Sequence, residues 1–258
     1  MAFKDSSLFS FANELADSAR ELTLKYFRRP YLFDVDNKKD KSPVTQVDRE
    51  VEELLRSMIN KKYPSHGVIG EEFGSENIDA EYVWTLDPID GTVSFINGVP
   101  LFTTLIGVIK QGQPFVGLID QPLLKERWSG DRYKATFNNQ DTIVRPCSEI
   151  NLAYLYTTAP EIFNKYEAQK FKKLSKSVKT SRIGGTDCYH YGMLSSGWID
   201  IVCEKLSVYE YAAIAPVVIG AGGVVSDWNG GQIDGFDYKT IIAVGDSRLH
   251  KQVINLLD

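Results

Sequence analysis

The sequence predicts an α+β fold, and three features of its patterning carry that expectation. Apolar residues recur at helical spacing up to about residue 60. From about Val68 the pattern changes to short runs rich in β-branched and aromatic residues. Beyond about residue 150, helical and strand-like segments are interleaved. In chain order, Leu8, Phe11, Ala12, Leu15, Ala16, Ala19, Leu22 and Tyr26 make one face of an amphipathic helix that Pro30 ends. The polar, charged segment FDVDNKKDKSPVTQ is expected to be a mobile loop. Val51, Leu54, Leu55, Met58 and Ile59 form the apolar face of a second helix, with Thr45-x-x-Asp48 at its start. GVIG, YVWTL, LIGVI and FVGLI read as strands, punctuated by IDG, NGVP and QGQP. Residues 160–174 and 189–196 read as helices. So does 212–221, with Pro216 expected to kink it and Gly222–Gly223 to end it. VVSDW and TIIAVG read as late strands. The polar CSEIN stretch near residue 148 suggests a division into an α+β half, 1–147, and an α/β half, 148–258.

The 258 residues suffice for one large domain or two closely packed halves, and 43% apolar content supplies a sizeable core. A net charge of −5 argues against a nucleic-acid surface but not against an anionic substrate, since a bound cation reverses the local field. Cys147, Cys188 and Cys203 are odd in number and lack CxxC spacing, so they read as buried thiols in a reducing compartment. The N-terminal segment carries Asp and Glu within its apolar stretch, unlike a signal peptide, and no apolar run approaches the ~18 residues of a membrane span. A cytoplasmic protein without membrane or nucleic-acid partners is expected.

The chemistry concentrates in GEEFG and WTLDPIDGTVSFINGVP. Glu71 and Glu72 follow one short strand; Asp87 and Asp90 follow another. Strand ends hold side chains rigidly. Pro88 stiffens the turn, which can aim Asp87, Asp90 and the Ile89 carbonyl at one point. Such hard oxygen donors suit Mg²⁺. Gly91 lets the backbone approach a ligand, and N–H groups at Gly91 and Thr92 could cradle a phosphate if a helix starts there. Taken singly, Asp-Pro and Asp-Gly are ordinary turns, and Glu71–Glu72 is an ordinary surface pair. Combined behind an apolar strand they point to a metal–phosphate site. Thr45-x-x-Asp48 fits a helix capping box on its own.

At these residues the chain resembles the inositol monophosphatase family. The resemblance runs through VTQVD, GEEFG, WTLDPIDGT, GVPLFTTLIGVI, GLIDQP, RIGGTDCYHYGMLSSGWIDIV and YEYAAIAPVVIGAGG. DQPLLKERW, GGTDCYHYG and APVVIGAGGVVSDW are similar to the histidinol-phosphate phosphatase branch. The resemblance implies a layered αβαβα sandwich of two pseudo-domains with the site between them, and a homodimer. It implies two or three Mg²⁺ ions per site, bound by Glu71, Asp87, the Ile89 carbonyl and Asp90. Glu210 stands where the family has an Asp, as a ligand of the second metal. Glu71 and Thr92 would position the attacking water, with Asp48 accepting from the Thr92 hydroxyl. Ile89, Asp90, Gly91 and Thr92 would contact the phosphate, and Arg182, Asp187 and Glu204 the alcohol. The acidic pair suits histidinol, which carries an ammonium and an imidazole.

The expectation is therefore Mg²⁺-dependent hydrolysis of a small phosphate monoester, L-histidinol phosphate foremost, without a phosphoenzyme. An inositol phosphatase or a broader phosphatase stays open, as does a non-catalytic ligand-binding relative. His66, His190 and His250 have no metal-ligand spacing. The run Lys38, Lys39, Lys41 is either a solvated face or part of a loop closing over the site. Trp84 and Trp128 read as core.

Overall fold

The computed structural model describes residues 3, 5–38, 43–184, 187–233 and 239–258. Lys39 and Lys41 of the basic run, and Gly185 and Thr186 of the RIGGTDCYHYG stretch, lie outside the described residues. Helix α1 spans Ser6–Tyr26, and α2 spans Gln46–Lys62. Asp5 caps α1 by accepting from the Leu8 N–H. Between the two helices, the flanks of the segment expected to be a mobile loop are ordered instead. Val35–Asn37 (β1) and Pro43–Thr45 (β2) pair as an antiparallel hairpin, with Val44 buried.

The first sheet contains β3 (Gly67–Gly70), β4 (Gly74–Glu76), β5 (Tyr82–Asp90), β6 (Thr103–Lys110), β7 (Gln113–Gln121), β8 (Glu126–Gly130), β9 (Ala135–Phe137) and β10 (Gln140–Asp141). Their order is β10-β9-β8-β7-β6-β5-β3-β4, antiparallel throughout except where β3 meets β5. The short helix α3 (Thr92–Ile96) follows β5. The second sheet holds β11 (Tyr154–Thr157), β12 (Thr180–Ile183), β13 (Ile201–Leu206), β14 (Val224–Asp227) and β15 (Lys239–Val244), ordered β12-β11-β13-β15-β14. Its helices are α4 (Lys165–Ser177), α5 (Tyr189–Ser195), α6 (Val208–Gly220) and α7 (Ser247–Leu257).

Three hydrophobic clusters build the layers. Leu15 and Ala16 of α1 and Val51 and Leu55 of α2 pack with Trp84, Ile106, Val108 and Leu118 on one face of the first sheet. The alternate residues Leu105 and Ile119 face the other way, with Trp128, toward α5 and α6. Those two helices also touch Val202 and Ala243 of the second sheet. The far face of that sheet, through Ile201, Cys203 and Ile242, meets Phe171 and Leu174 of α4 and Leu249 and Val253 of α7. The result is helix, sheet, helix, sheet, helix: the α+β class that the patterning predicts, in the layered order that the family resemblance implies. Helix α6 is apolar almost all round because it lies between two sheets.

Several boundaries differ from expectation. Residues 160–162 form only a 3₁₀ turn, and α4 begins later because Asn164 and Glu167 close a capping box there. Helix α6 begins at Val208 rather than Ala212, because Ser207 and Glu210 do the same, and it runs on through Pro216. Cys188 and Cys203 are buried free thiols, but Cys147 is only partly buried. Trp84 and Trp128 are fully buried. Among the described residues, no helix is long and apolar enough to cross a membrane.

Candidate active site

Four segments distant in sequence meet at one end of the first sheet. The first is the end of β5, which continues past YVWTL to Asp90. Pro88 has no N–H for the ladder, and the register against β6 shifts between Asp87 and Asp90 before pairing resumes at Thr103. This irregularity lets Asp87, the Ile89 backbone and Asp90 border one cleft. Pro88 O accepts from Thr104 Oγ1 at 2.8 Å, pinning the turn. Asp90 Oδ2 accepts from Thr103 Oγ1 at 2.5 Å and from the Cys188 N–H at 3.0 Å. Asp90 is thus tied to both halves of the chain.

The second segment is the turn after β3. The Glu71 N–H donates to Leu86 O at 3.2 Å, lashing the turn to β5. Lys38 Nζ donates to Glu71 Oε1 at 2.6 Å and Glu72 Oε1 at 2.7 Å. Burial works against the Lys38 charge, yet Glu71 and then Glu72 hold its pKa above the ordinary lysine value. Of the basic run, Lys38 therefore reaches the site.

The third and fourth segments are helix starts, and each uses its cap twice. At α2, Asp48 Oδ2 accepts from Thr45 N at 2.8 Å and from the Thr45 hydroxyl, a capping box. Asp48 Oδ1 faces the Thr92 hydroxyl at 3.4 Å, while that hydroxyl also lies 3.0 Å from Ile89 O. Thr92 opens α3, with Gly91 as its left-handed N-cap. At α6, Glu210 Oε2 accepts from Ser207 N at 2.6 Å and Ser207 Oγ at 2.7 Å. A capping box prefers Glu at this position, a local reason for Glu210 where the family pattern has Asp. The early start of α6 sets Glu210 in its first turn, beside the cleft.

The cleft encloses about 420 Å³ and is bordered by Glu71, Asp87, Ile89, Asp90, Gly91, Thr92, Asp187, Tyr209 and Glu210, with Pro43 and Val93 at its rim. Burial, then Glu71, Asp90 and Glu210, push Asp87 well above the carboxylate range. Burial, Asp187 and Glu210 do the same to Asp90. Burial raises Glu210 to about 8, Glu72 to about 7 and Asp48 to about 6. Asp87 Oδ1 is buried with no hydrogen-bond partner among the described residues. Asp90, Glu210 and the Cys188 thiol bring ligand atoms within 4.8 Å of one another. A crowd of buried carboxylates with an orphaned oxygen is the electrostatic complement of a hard divalent cation, so the donor set fits Mg²⁺.

Asp48 and Glu204 lie behind this wall. Glu204 is buried, accepts from the Thr158 N–H at 2.5 Å, and sits 3.9 Å from His190 Nδ1. Burial and then Asp187 raise the Glu204 pKa well above the ordinary value. Asp187 borders the cleft with a left-handed backbone, φ 39°. Arg182 is not brought to the cleft. It is exposed on β12, the edge strand of the second sheet, where it aligns with Tyr156 and borders a separate depression with Phe171 and Lys172. Sequence reasoning passed over Thr103 and the Cys188 N–H as anchors of Asp90. Thr103 carried one available signal, its place in the GVPLFTT stretch; a backbone donor carries none.

Comparison with known proteins shows the family. The family model described as inositol monophosphatase family matches residues 4–258. The chain is 42% identical over 271 aligned positions to the protein named bifunctional phosphatase IMPL2, chloroplastic, of Arabidopsis thaliana, covering 98% of this chain and 77% of that one. It is 35% identical to a histidinol-phosphatase of Chlorobaculum parvum, covering 87% and 88% respectively. A solved inositol monophosphatase from Zymomonas mobilis superposes with a TM-score of 0.89 at 36% identity, covering 99% of each chain.

Proposed function

The chain belongs to the inositol monophosphatase family of phosphatases, and on that premise we propose that it is a Mg²⁺-dependent phosphomonoesterase with L-histidinol phosphate as its preferred substrate. The observation that carries the metal reading is the convergence of Glu71, Asp87, Asp90 and Glu210 on one cleft, with Asp87 Oδ1 left unpaired among the described residues. Glu71, Asp87, the Ile89 carbonyl, Asp90 and Glu210 would hold the metal. When bound, Mg²⁺ supplies positive charge and Lewis acidity against the phosphoryl oxygens.

The chain's own groups do the rest. With the Ile89 carbonyl taken up as a metal ligand, the Thr92 hydroxyl, 3.0 Å from Ile89 O and 3.4 Å from Asp48 Oδ1, would donate its hydrogen bond to Asp48, which leaves its oxygen to accept from the attacking water. Glu71 accepts a hydrogen bond from the water's other O–H and aligns the water with phosphorus and the leaving oxygen; as the new P–O bond forms the ester P–O bond breaks, and the leaving alkoxide takes up a proton by way of solvent, so one water yields the alcohol and phosphate. Backbone N–H groups at Gly91 and Thr92 steady the phosphate. Asp187, which borders the cleft, would offer a carboxylate to a cationic alcohol that a neutral polyol does not match. Arg182 has no part in this reading.

A phosphate-release screen with and without Mg²⁺ tests the proposal, using histidinol phosphate, inositol 1-phosphate and a nucleotide-derived bisphosphate. The expected result is Mg²⁺-dependent release, with kcat/KM at least about tenfold higher for histidinol phosphate, the worth of one charged contact. Equal or better turnover of inositol phosphate rejects the substrate assignment. It would favour a broader phosphatase, the reading suggested by the relative named bifunctional. No Mg²⁺-dependent release from any ester rejects the enzyme reading in favour of a ligand-binding relative.

A further inference from the structure

Helix α2 carries a row of buried charged residues at i, i+4 and i+8: Asp48, Glu52 and Arg56. This spacing puts all three on one helix face, about 6 Å apart per step. Asp48 meets Thr92. One turn further on, the Glu52 carboxylate reaches the turn that carries Glu71. Its Oε2 accepts from the Glu72 N–H at 2.7 Å, and its Oε1 from the Phe73 N–H at 3.2 Å. Arg56 Nε donates to Glu52 Oε1 at 2.7 Å, and Arg56 Nη2 donates to Gly74 O. With Glu71 N bonded to Leu86 O, backbone groups of four successive residues, 71–74, are fixed from outside the turn. Gly70 is part of the device: a Cβ there would collide with the Glu52 carboxylate, so its bareness admits the acid to the turn.

We infer that Glu52 and Arg56 are positioning residues that set the Glu71 carboxylate, so that α2 acts as one rigid bracket for Glu71 and Thr92. Glu71 follows β3 and Thr92 opens α3 beyond β5, and the pairing of β3 with β5 sets only the strand backbones that lead to them. Anchoring the turn beside Glu71 and the Thr92 hydroxyl to adjacent turns of a single helix adds a second constraint. A buried ion pair is a poor way to gain stability alone, since an apolar pair of the same volume serves as well. Its use here against the N–H groups beside Glu71 matches the outer shell of a metal site. The inference rests on the metal reading proposed above.

The test is Mn²⁺ binding to the folded full-length protein, followed by electron paramagnetic resonance, with melting temperature measured in parallel. Glu52→Gln keeps the shape but presents an amide donor to backbone donors. It should weaken Mn²⁺ binding by about 10–100-fold, the range for outer-shell partners. Arg56→Lys keeps the charge but loses the two-pronged contact, and about tenfold weaker binding is expected. Leu55→Ala, a cavity on the same helix, should lower the melting temperature without moving the Mn²⁺ dissociation constant. Binding by both Glu52→Gln and Arg56→Lys within about threefold of the parent overturns the inference, as does an equal loss in Leu55→Ala. If the parent itself binds no Mn²⁺, the metal reading falls first and this inference with it.

Discussion

Asp48 and Glu210 show how one side chain can answer two demands. Each is the third residue of its helix and closes a capping box with one carboxylate oxygen. The other oxygen of Asp48 meets the Thr92 hydroxyl, and Glu210 borders the cleft. The cap fixes the rotamer, so the site receives a preset group. From sequence alone Thr45-x-x-Asp48 presented cap and catalytic partner as competing readings, whereas the geometry accommodates both. Arg182 shows the opposite. Its type suited a substrate contact, but only the strand pairing of β12 decided where it lies. Asp90 is the most constrained acid, held by Thr103 and the Cys188 N–H yet surrounded by other carboxylates. Asp90→Asn should keep the fold, since an amide oxygen can accept the same bonds, and should not lower the melting temperature of the metal-free protein. It should reduce Mg²⁺-dependent turnover by about 10³-fold, equivalent to roughly 4 kcal/mol of transition-state stabilisation. Circular dichroism and phosphate release measured on one preparation check both halves of the statement.

At the scale of elements, α6 brings Glu210 to β5, and the close approach depends on the strands beneath it. Gly107 of β6 pairs with Gly117 of β7, which pairs with Gly130 of β8. A Cβ at Gly117 would collide with Ala213 O in the middle of α6. This row of bare backbone across three strands is a groove for the helix. Gly117→Ala should therefore destabilise the protein by about 3 kcal/mol, the upper part of the overpacking range. That corresponds to a fall in melting temperature of about 6–12 °C for a chain of this size. It should also weaken metal binding by lifting Glu210. A melting temperature within about 2 °C of the parent would show that the groove is slack. Helices α1 and α2 and strands β5 to β7 were legible in sequence because their apolar period is unbroken. The β1–β2 hairpin and the early start of α6 were not. Val35–Asn37 is exposed and has no apolar alternation, and the first residues of α6 are decided by a cap rather than a pattern.

For the molecule as a whole, the buried acids make stability depend on pH and on divalent cations together. Glu210 at about 8, Glu72 at about 7 and Asp48 at about 6 all lie above the ordinary carboxylate value, principally through burial. The folded, metal-free state therefore holds more protons than the unfolded state between pH ~4.3 and these values. Their stabilising contribution is full below pH ~4.3 and is lost as pH rises through 6, 7 and 8. His190, held neutral by burial at about 4, works in the opposite sense between pH 4 and ~6.5, as do His66 and His250, whose pKa values burial also lowers. Metal binding requires deprotonated ligands and so strengthens over the same rise. The increase in melting temperature on adding Mg²⁺ should be clearly larger at pH 8 than at pH 5.5, as read by scanning calorimetry. An equal increase at both values would contradict a carboxylate metal site.

The sequence by itself determined the main helices and central strands, the family and the identity of the acids, because periodicity and contiguous motifs are local properties. Tertiary structure alone decided that Asp87, Asp90, Glu71 and Glu210 share one cleft. It also decided that Lys38 joins Glu71 and Glu72 and that Arg182 faces elsewhere. Those outcomes depend on strand register, a bulge at Pro88 and the depth at which a helix seats on glycines. Each sums contacts between residues far apart in the chain, which no local pattern records.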